Sequence, residues 1–139
     1  AIRTYCEALR LVPFLAAIPE RYLKRLAGEI QMRTYFPGDL HILSGEASQE
    51  LIILQSGSMR SVADDGSPSN DIVLGEGCFF GEMCLLGLGK RRAMSIQCVE
   101  ICNVIVVSAE AFARAGLRGL LDEIRAEAHN LLEASERAS

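Results

Sequence analysis

Apolar and polar positions change their period twice along this chain. From Ile2 to Ile30 the residues Ile2, Tyr5 and Leu9, then Tyr22, Leu23, Leu26 and Ile30, recur at helical steps interrupted by Pro13 and Pro19, which predicts a helical segment in two pieces over 1–29. Pro19 suits the first turn of the second piece, where its missing N–H is no loss, and Gly28 supplies a stop. Between Ile30 and Val107 short β-prone runs alternate with turn signals: Pro37-Gly38-Asp39, Ser44-Gly45-Glu46, Ser56-Gly57-Ser58, Asp64-Asp65-Gly66-Ser67-Pro68 and Gly75-Glu76-Gly77. Punctuation at that spacing predicts an all-β sandwich or roll. The strongest strands are Leu51 to Gln55, Ser58 to Ala63, Asp71 to Leu74, Ala93 to Cys98 and Cys102 to Val107, with a solvated hairpin tip from Asp64 to Asn70.

After Ser108, a good N-cap with Glu110 close behind, helical spacing returns in Phe112, Leu117, Leu120, Leu121, Ile124, Ala128, Leu131 and Leu132. This stripe predicts a helix of about five turns whose first use is core packing. Asp122, Glu123, Arg125, Glu127, Glu133 and Arg137 are expected on its outer face. The whole reads as one domain over 1–139: helical opening 1–29, β region 30–107, C-terminal helices 108–139.

Composition narrows the class. Half of the 139 residues are hydrophobic and 23% are charged, enough apolar surface for a sizeable core and too much for a disordered chain. The net charge of −4, without a basic block, lacks the electrostatic footprint of a nucleic-acid binder. No apolar run reaches the ~20 residues of a membrane span and no signal peptide opens the chain. It starts at Ala1 rather than Met, as a piece of a longer protein would. The five cysteines (Cys6, Cys78, Cys84, Cys98, Cys102) have no CxxC spacing and read as reduced thiols of an intracellular protein. His41 and His129 do not lie at metal-ligand spacing with them, so no metal or other cofactor is expected.

One segment carries chemistry. Phe79-Phe80-Gly81-Glu82-Met83-Cys84-Leu85-Leu86, followed by Gly89-Lys90-Arg91-Arg92-Ala93-Met94-Ser95-Ile96, places a short helical turn between two strands. With Gly81 opening the turn, the amides of Glu82, Met83 and Cys84 are free donors for an anion such as phosphate. Arg92, at the start of the next strand, could pair with the same phosphate in bidentate fashion. A carboxylate beside a phosphate is repelled unless it faces a hydroxyl, so Glu82 calls for a ribose on the same ligand. The bland alternative makes Glu82 a first-turn acid and Arg92 its surface partner, an arrangement of small energetic value.

These two stretches resemble the phosphate-binding cassette of cyclic nucleotide-binding domains. Tyr35-Phe36-Pro37-Gly38-Asp39, Ser44-Gly45-Glu46, Ile53-Leu54-Gln55-Ser56-Gly57, Val62-Ala63-Asp64-Asp65-Gly66 and Val73-Leu74-Gly75-Glu76-Gly77-Cys78 fall in that family's order, so the resemblance spans nearly the whole chain. It implies a mainly β fold, an eight-stranded antiparallel β-roll of jelly-roll type with N-terminal helices, a short cassette helix within 79–96 and a long C-terminal helix. The implied ligand is cAMP or cGMP. Family roles carried over residue by residue put Glu82 on the ribose hydroxyl, Gly81, Met83 and Cys84 at the cassette turn, and Arg92 on the cyclic phosphate. Ile72 and Leu74 match positions lining the base pocket, with Val62 a weaker match. Because family members close their last helix over the base, Leu131 and Leu132 are candidate lid contacts.

Two positions depart from the pattern. Channel members favouring cGMP usually carry Thr directly after the arginine, and Ala93 here removes that hydroxyl, which favours cAMP. Met94 replaces a usually small residue. The Gly-Glu-Met-Cys-Leu-Leu wording is closer to channel domains than to kinase regulatory subunits. The implied role is therefore a cytoplasmic sensor domain, not an enzyme, attached to a cyclic nucleotide-gated or hyperpolarisation-activated cation channel or a related transporter, in a homo-oligomeric parent. A kinase regulatory subunit and a ligand-free interaction platform of the same fold are the alternatives. A metal enzyme on a similar roll would need clustered histidines that the chain lacks, and DNA binding has no helix-turn-helix within these residues.

Overall fold

In a computed structural model the described residues are 2–43, 50–62, 68–86 and 94–138. Three short helices open the chain: α1 (Ile2–Leu9), α2 (Pro13–Ala16) and α3 (Glu20–Ala27). The expected two pieces are thus three. Pro13 occupies the first position of its own one-turn helix, where its lack of an N–H costs nothing. Pro19 precedes α3 as its N-cap, and Gly28 closes that helix with its N–H on the carbonyls of Lys24 and Arg25.

Among the described residues eight strands follow: β1 (Gln31–Tyr35), β2 (Leu40–Leu43), β3 (Glu50–Ser56), β4 (Met59–Val62), β5 (Pro68–Leu74), β6 (Phe79–Phe80), β7 (Met94–Cys98) and β8 (Cys102–Ser108). They form two four-stranded sheets, ordered β1-β8-β3-β6 and β2-β7-β4-β5, and every pairing is antiparallel. This is the expected eight-stranded roll. The hairpin tip is shorter than predicted: β5 begins at Pro68, opposite Val62, so 68–70 belong to a strand, and 63–67 lie outside the described residues.

Two cores explain why β3 and β8 read as continuous apolar runs rather than alternating ones. On one face Ile52, Leu54, Cys102, Val104 and Val106 meet Met59, Ile96 and Cys98 of the second sheet. On the other, Leu51, Ile53, Ile105 and Val107 are covered by Leu9, Leu15, Leu23 and Leu26 of the opening helices and by Phe112, Leu117 and Leu121. A strand buried on both faces has no polar side to show. β6 splits its two aromatics between these layers, Phe79 towards the helices and Phe80 between the sheets. Cys6, Cys78, Cys98 and Cys102 are free thiols. Burial, with the neighbouring Cys102 adding to it, pushes the Cys98 thiol up to about 12, so it stays protonated.

A short helix, α4 (Glu82–Leu85), lies between β6 and β7, and α5 (Ala109–Arg114) and α6 (Arg118–Ala138) end the chain. Ser108 caps α5 as predicted, its hydroxyl accepting from the Ala111 amide at 3.1 Å. The apolar stripe does not run through one helix. Gly116 (φ +76°) breaks it, with Leu117 N–H on the Phe112 carbonyl and Gly116 N–H on that of Ala113, the two bonds of a Schellman motif. Nor is the stripe core along its whole length. Leu117 and Leu121 are buried, and Leu120 and Ile124 pack beside them, whereas Leu131 is 65% exposed.

Candidate functional site

The cassette turn is built against β3. Gly81 has φ +82°, a conformation L side chains rarely adopt, and a Cβ there would run into the Glu50 carbonyl oxygen. Glycine is therefore required twice over, by backbone angle and by space. α4 starts at the next residue. Its first helical bond, Leu85 N–H to the Gly81 carbonyl at 2.9 Å, leaves the amides of Glu82, Met83 and Cys84 ahead of the bonded turn.

Glu82 is half-buried at the start of this turn, and burial raises its carboxyl above the ordinary carboxylate range. The cassette is anchored at its other end by Leu85 and Leu86, both buried in the helical core with Leu117 and Leu121.

The remaining predicted residues divide by location. Leu74 and Ile72, expected to line a base pocket, both lie on β5; Leu74 pairs with Met59 and is half-buried. Val62 ends β4 beside an irregularity in the β4–β5 register and is buried. These three belong to the sheet opposite the one that carries the cassette through β6. Met83 and Cys84 lie within α4. Arg92 and Ala93 lie outside the described residues, and Met94 opens β7 opposite Leu43. Leu131 and Leu132 lie on α6, Leu131 exposed.

Two residues matter here that sequence reasoning missed. Glu50 enters through its backbone carbonyl, which no side-chain pattern announces. Arg125, expected on the outer face of the last helix, instead turns towards the cassette and donates from Nε to the Leu85 carbonyl at 2.9 Å. In the sequence it is one charged residue among many on a polar stretch.

A polar cavity of about 360 Å³ has Glu50 in its lining, with Arg33, Ser108, Glu110 and Arg114 among others. Both arginines are engaged: Arg33 makes a forked pair with Glu50 at 3.0 and 3.3 Å, and Arg114 reaches Glu29 at 2.6 Å. Side-chain hydrogen bonds with Glu50, which accepts from the guanidinium, and with Tyr35 hold the Arg33 pKa above its ordinary value. The charges of Arg33 and Arg114 in this cavity are thus matched by carboxylates of the protein itself. Among the described residues no cluster of His, Cys, Asp or Glu could hold a metal ion, and no helix is long and apolar enough to cross a membrane.

A two-sheet antiparallel roll with a glycine-started helical turn between β6 and β7 defines a class, and comparison with known proteins agrees. The family model for the cyclic nucleotide-binding domain matches residues 32–117, and the chain belongs to that family. It is 29% identical over 120 residues to the cyclic nucleotide-gated channel rod photoreceptor subunit alpha of Gallus gallus, covering 83% of this chain and 18% of that protein. The chain thus spans about a fifth of the length of such curated relatives. Among solved structures, cAMP bound PfPKA-R shares the fold with a TM-score of 0.65 and 24% identity, over 98% of this chain and 45% of that one. The N-terminal domain of a transcriptional regulator from Streptomyces coelicolor A3(2) does so with a TM-score of 0.70 and 18% identity, over 95% of each.

Proposed function

We propose that the chain is a regulatory sensor domain that binds cAMP in preference to cGMP and acts on the gate of a membrane channel or transporter from its cytosolic side, without catalysis of its own. The observation that carries this reading is the Gly81–Glu82 turn. A left-handed glycine pressed on the Glu50 carbonyl sets a half-buried carboxylate at the first turn of a short helix, inside the span that the family model matches, which supports a ligand site there. Glu82 would accept the ribose hydroxyl and Arg92 would pair with the cyclic phosphate, while Leu74, Ile72 and Val62 would face the base. Ala93 offers no hydroxyl to guanine, which supports the preference for cAMP.

The proposed mechanism is a population shift. Nucleotide at the cassette favours a state with the last helix docked, Leu131 and Leu132 approaching the base, and the opening helices pass the change on to an attached pore or transport unit. The parent is proposed to be a homo-oligomer. Titrating the 139-residue domain with cAMP and cGMP by calorimetry tests the reading. Binding of both, cAMP the tighter, is expected. Binding of neither would overturn it and favour an interaction platform that has lost its ligand.

A further inference from the structure

We infer that Arg125 is a positioning residue for the cassette, fixing the turn that carries Gly81 and Glu82 by holding the carbonyl at its far end. This rests on the cyclic nucleotide reading above and adds the residue that ties the site to the last helix. A four-residue helix is too short to hold its own shape, because so few backbone bonds cannot offset the cost of nucleation. Its geometry is set by what grips its ends. At the start the grip is the Gly81 contact with Glu50. At the end it is Arg125, whose Nε meets the Leu85 carbonyl at 2.9 Å.

The arginine is itself held. Its side chain is only 27% exposed, and Nη1 lies 3.7 Å from Asp122 Oδ1, one turn earlier on α6. A cation at the carbonyl end of a helix also complements the helix dipole. The apolar neighbours Leu85, Leu86 and Leu121 fill the same core, and the polar tie adds a directional bond to that packing. Glu82 and Leu85 are three residues apart on one turn, about 4.5 Å along the axis at 1.5 Å per residue. The Leu85 carbonyl and the Glu82 carboxylate therefore share one turn, and releasing the carbonyl loosens the turn that carries the carboxylate. By linkage, whatever orders the cassette also favours α6 in its docked position, and the reverse.

The test uses the 139-residue chain with Arg125→Met, which keeps the packing stem and removes every donor, and Arg125→Lys, which keeps a charged donor. Calorimetry with cAMP is paired with hydrogen exchange over 118–138, with and without saturating nucleotide. The parent is expected to show slower exchange in the first half of α6 when cAMP is bound. Arg125→Met is expected to bind about tenfold more weakly and to lose most of that ligand-dependent protection, and Arg125→Lys to recover part of both. Parent-like affinity and protection in Arg125→Met would overturn the assignment. Should that variant fail to fold, Asp122→Asn, which frees one arm of the arginine at the surface, is expected to lose protection in the same direction, and parent-like values there would overturn it equally. A parent chain that binds neither nucleotide is a different result, which removes the cyclic nucleotide reading and this inference with it.

Discussion

Gly81 and Glu50 meet backbone to backbone: the glycine, at φ +82°, leaves no room for a Cβ beneath the Glu50 carbonyl oxygen. Through this contact strand β3 determines where the cassette turn begins. Gly81→Ala is expected to be costly. The left-handed conformation alone penalises an L residue by roughly 1–2 kcal/mol, and the carbonyl contact adds to that. Thermal melting should show a lower midpoint and calorimetry a loss of nucleotide affinity. An alanine variant matching the parent in both would mean that the turn can re-form elsewhere.

Glu82→Gln is expected to lose less affinity for cAMP than Glu82→Ala, because the amide oxygen still accepts a ribose hydroxyl although the charge is gone. A 2′-deoxy nucleotide should reproduce the loss on the parent and add little on Glu82→Ala. Equal binding of 2′-deoxy-cAMP and cAMP by the parent would remove Glu82 as the ribose acceptor.

The same carboxyl makes a pH prediction for the ligand-free domain. Burial raises its folded pKa above the unfolded value, so across the window between the two the native state holds the extra proton. This contribution therefore favours the native state at low pH and declines as pH rises from the ordinary carboxylate range through the raised value. Glu82→Gln, which never ionises, should be the more stable protein at neutral pH, with the gap narrowing below the ordinary carboxylate range. Urea midpoints at several pH values check it, and a gap that widens towards acid would contradict it.

Arg92→Ala is expected to weaken cyclic nucleotide binding tenfold to a hundredfold while the fold persists, since a charge-assisted phosphate contact is worth roughly 1.5–3 kcal/mol. Undiminished affinity by calorimetry would refute its pairing with the phosphate.

Ala93→Thr is expected to move preference towards cGMP by about twofold to tenfold, the value of one net hydrogen bond of about 0.5–1.5 kcal/mol. Competition binding of both nucleotides to parent and variant measures it. An unchanged or cAMP-shifted ratio would count against the selectivity argument and leave the phosphate site untouched.

Much of this protein was legible along the chain because the governing interactions are local. Periodicity located the opening helices and the strands, Ser108 announced its cap, and Gly81 before Glu82 marked the start of a turn between two strands, each from chemistry within a few residues. The double burial of β3 and β8 was visible as unbroken apolar runs. What the sequence could not express is which backbone atoms distant segments present to one another. The Glu50 carbonyl under Gly81 lies some thirty positions away, and Arg125 reaches Leu85 across a separation of 40 residues. Both acceptors are main-chain oxygens, which every residue carries, so no residue type at either position signals the contact. Only the folding of α6 onto the helical core turns one of its many charged side chains inward, while Leu131, identical in kind to the buried Leu121, is left in solvent by where the core ends.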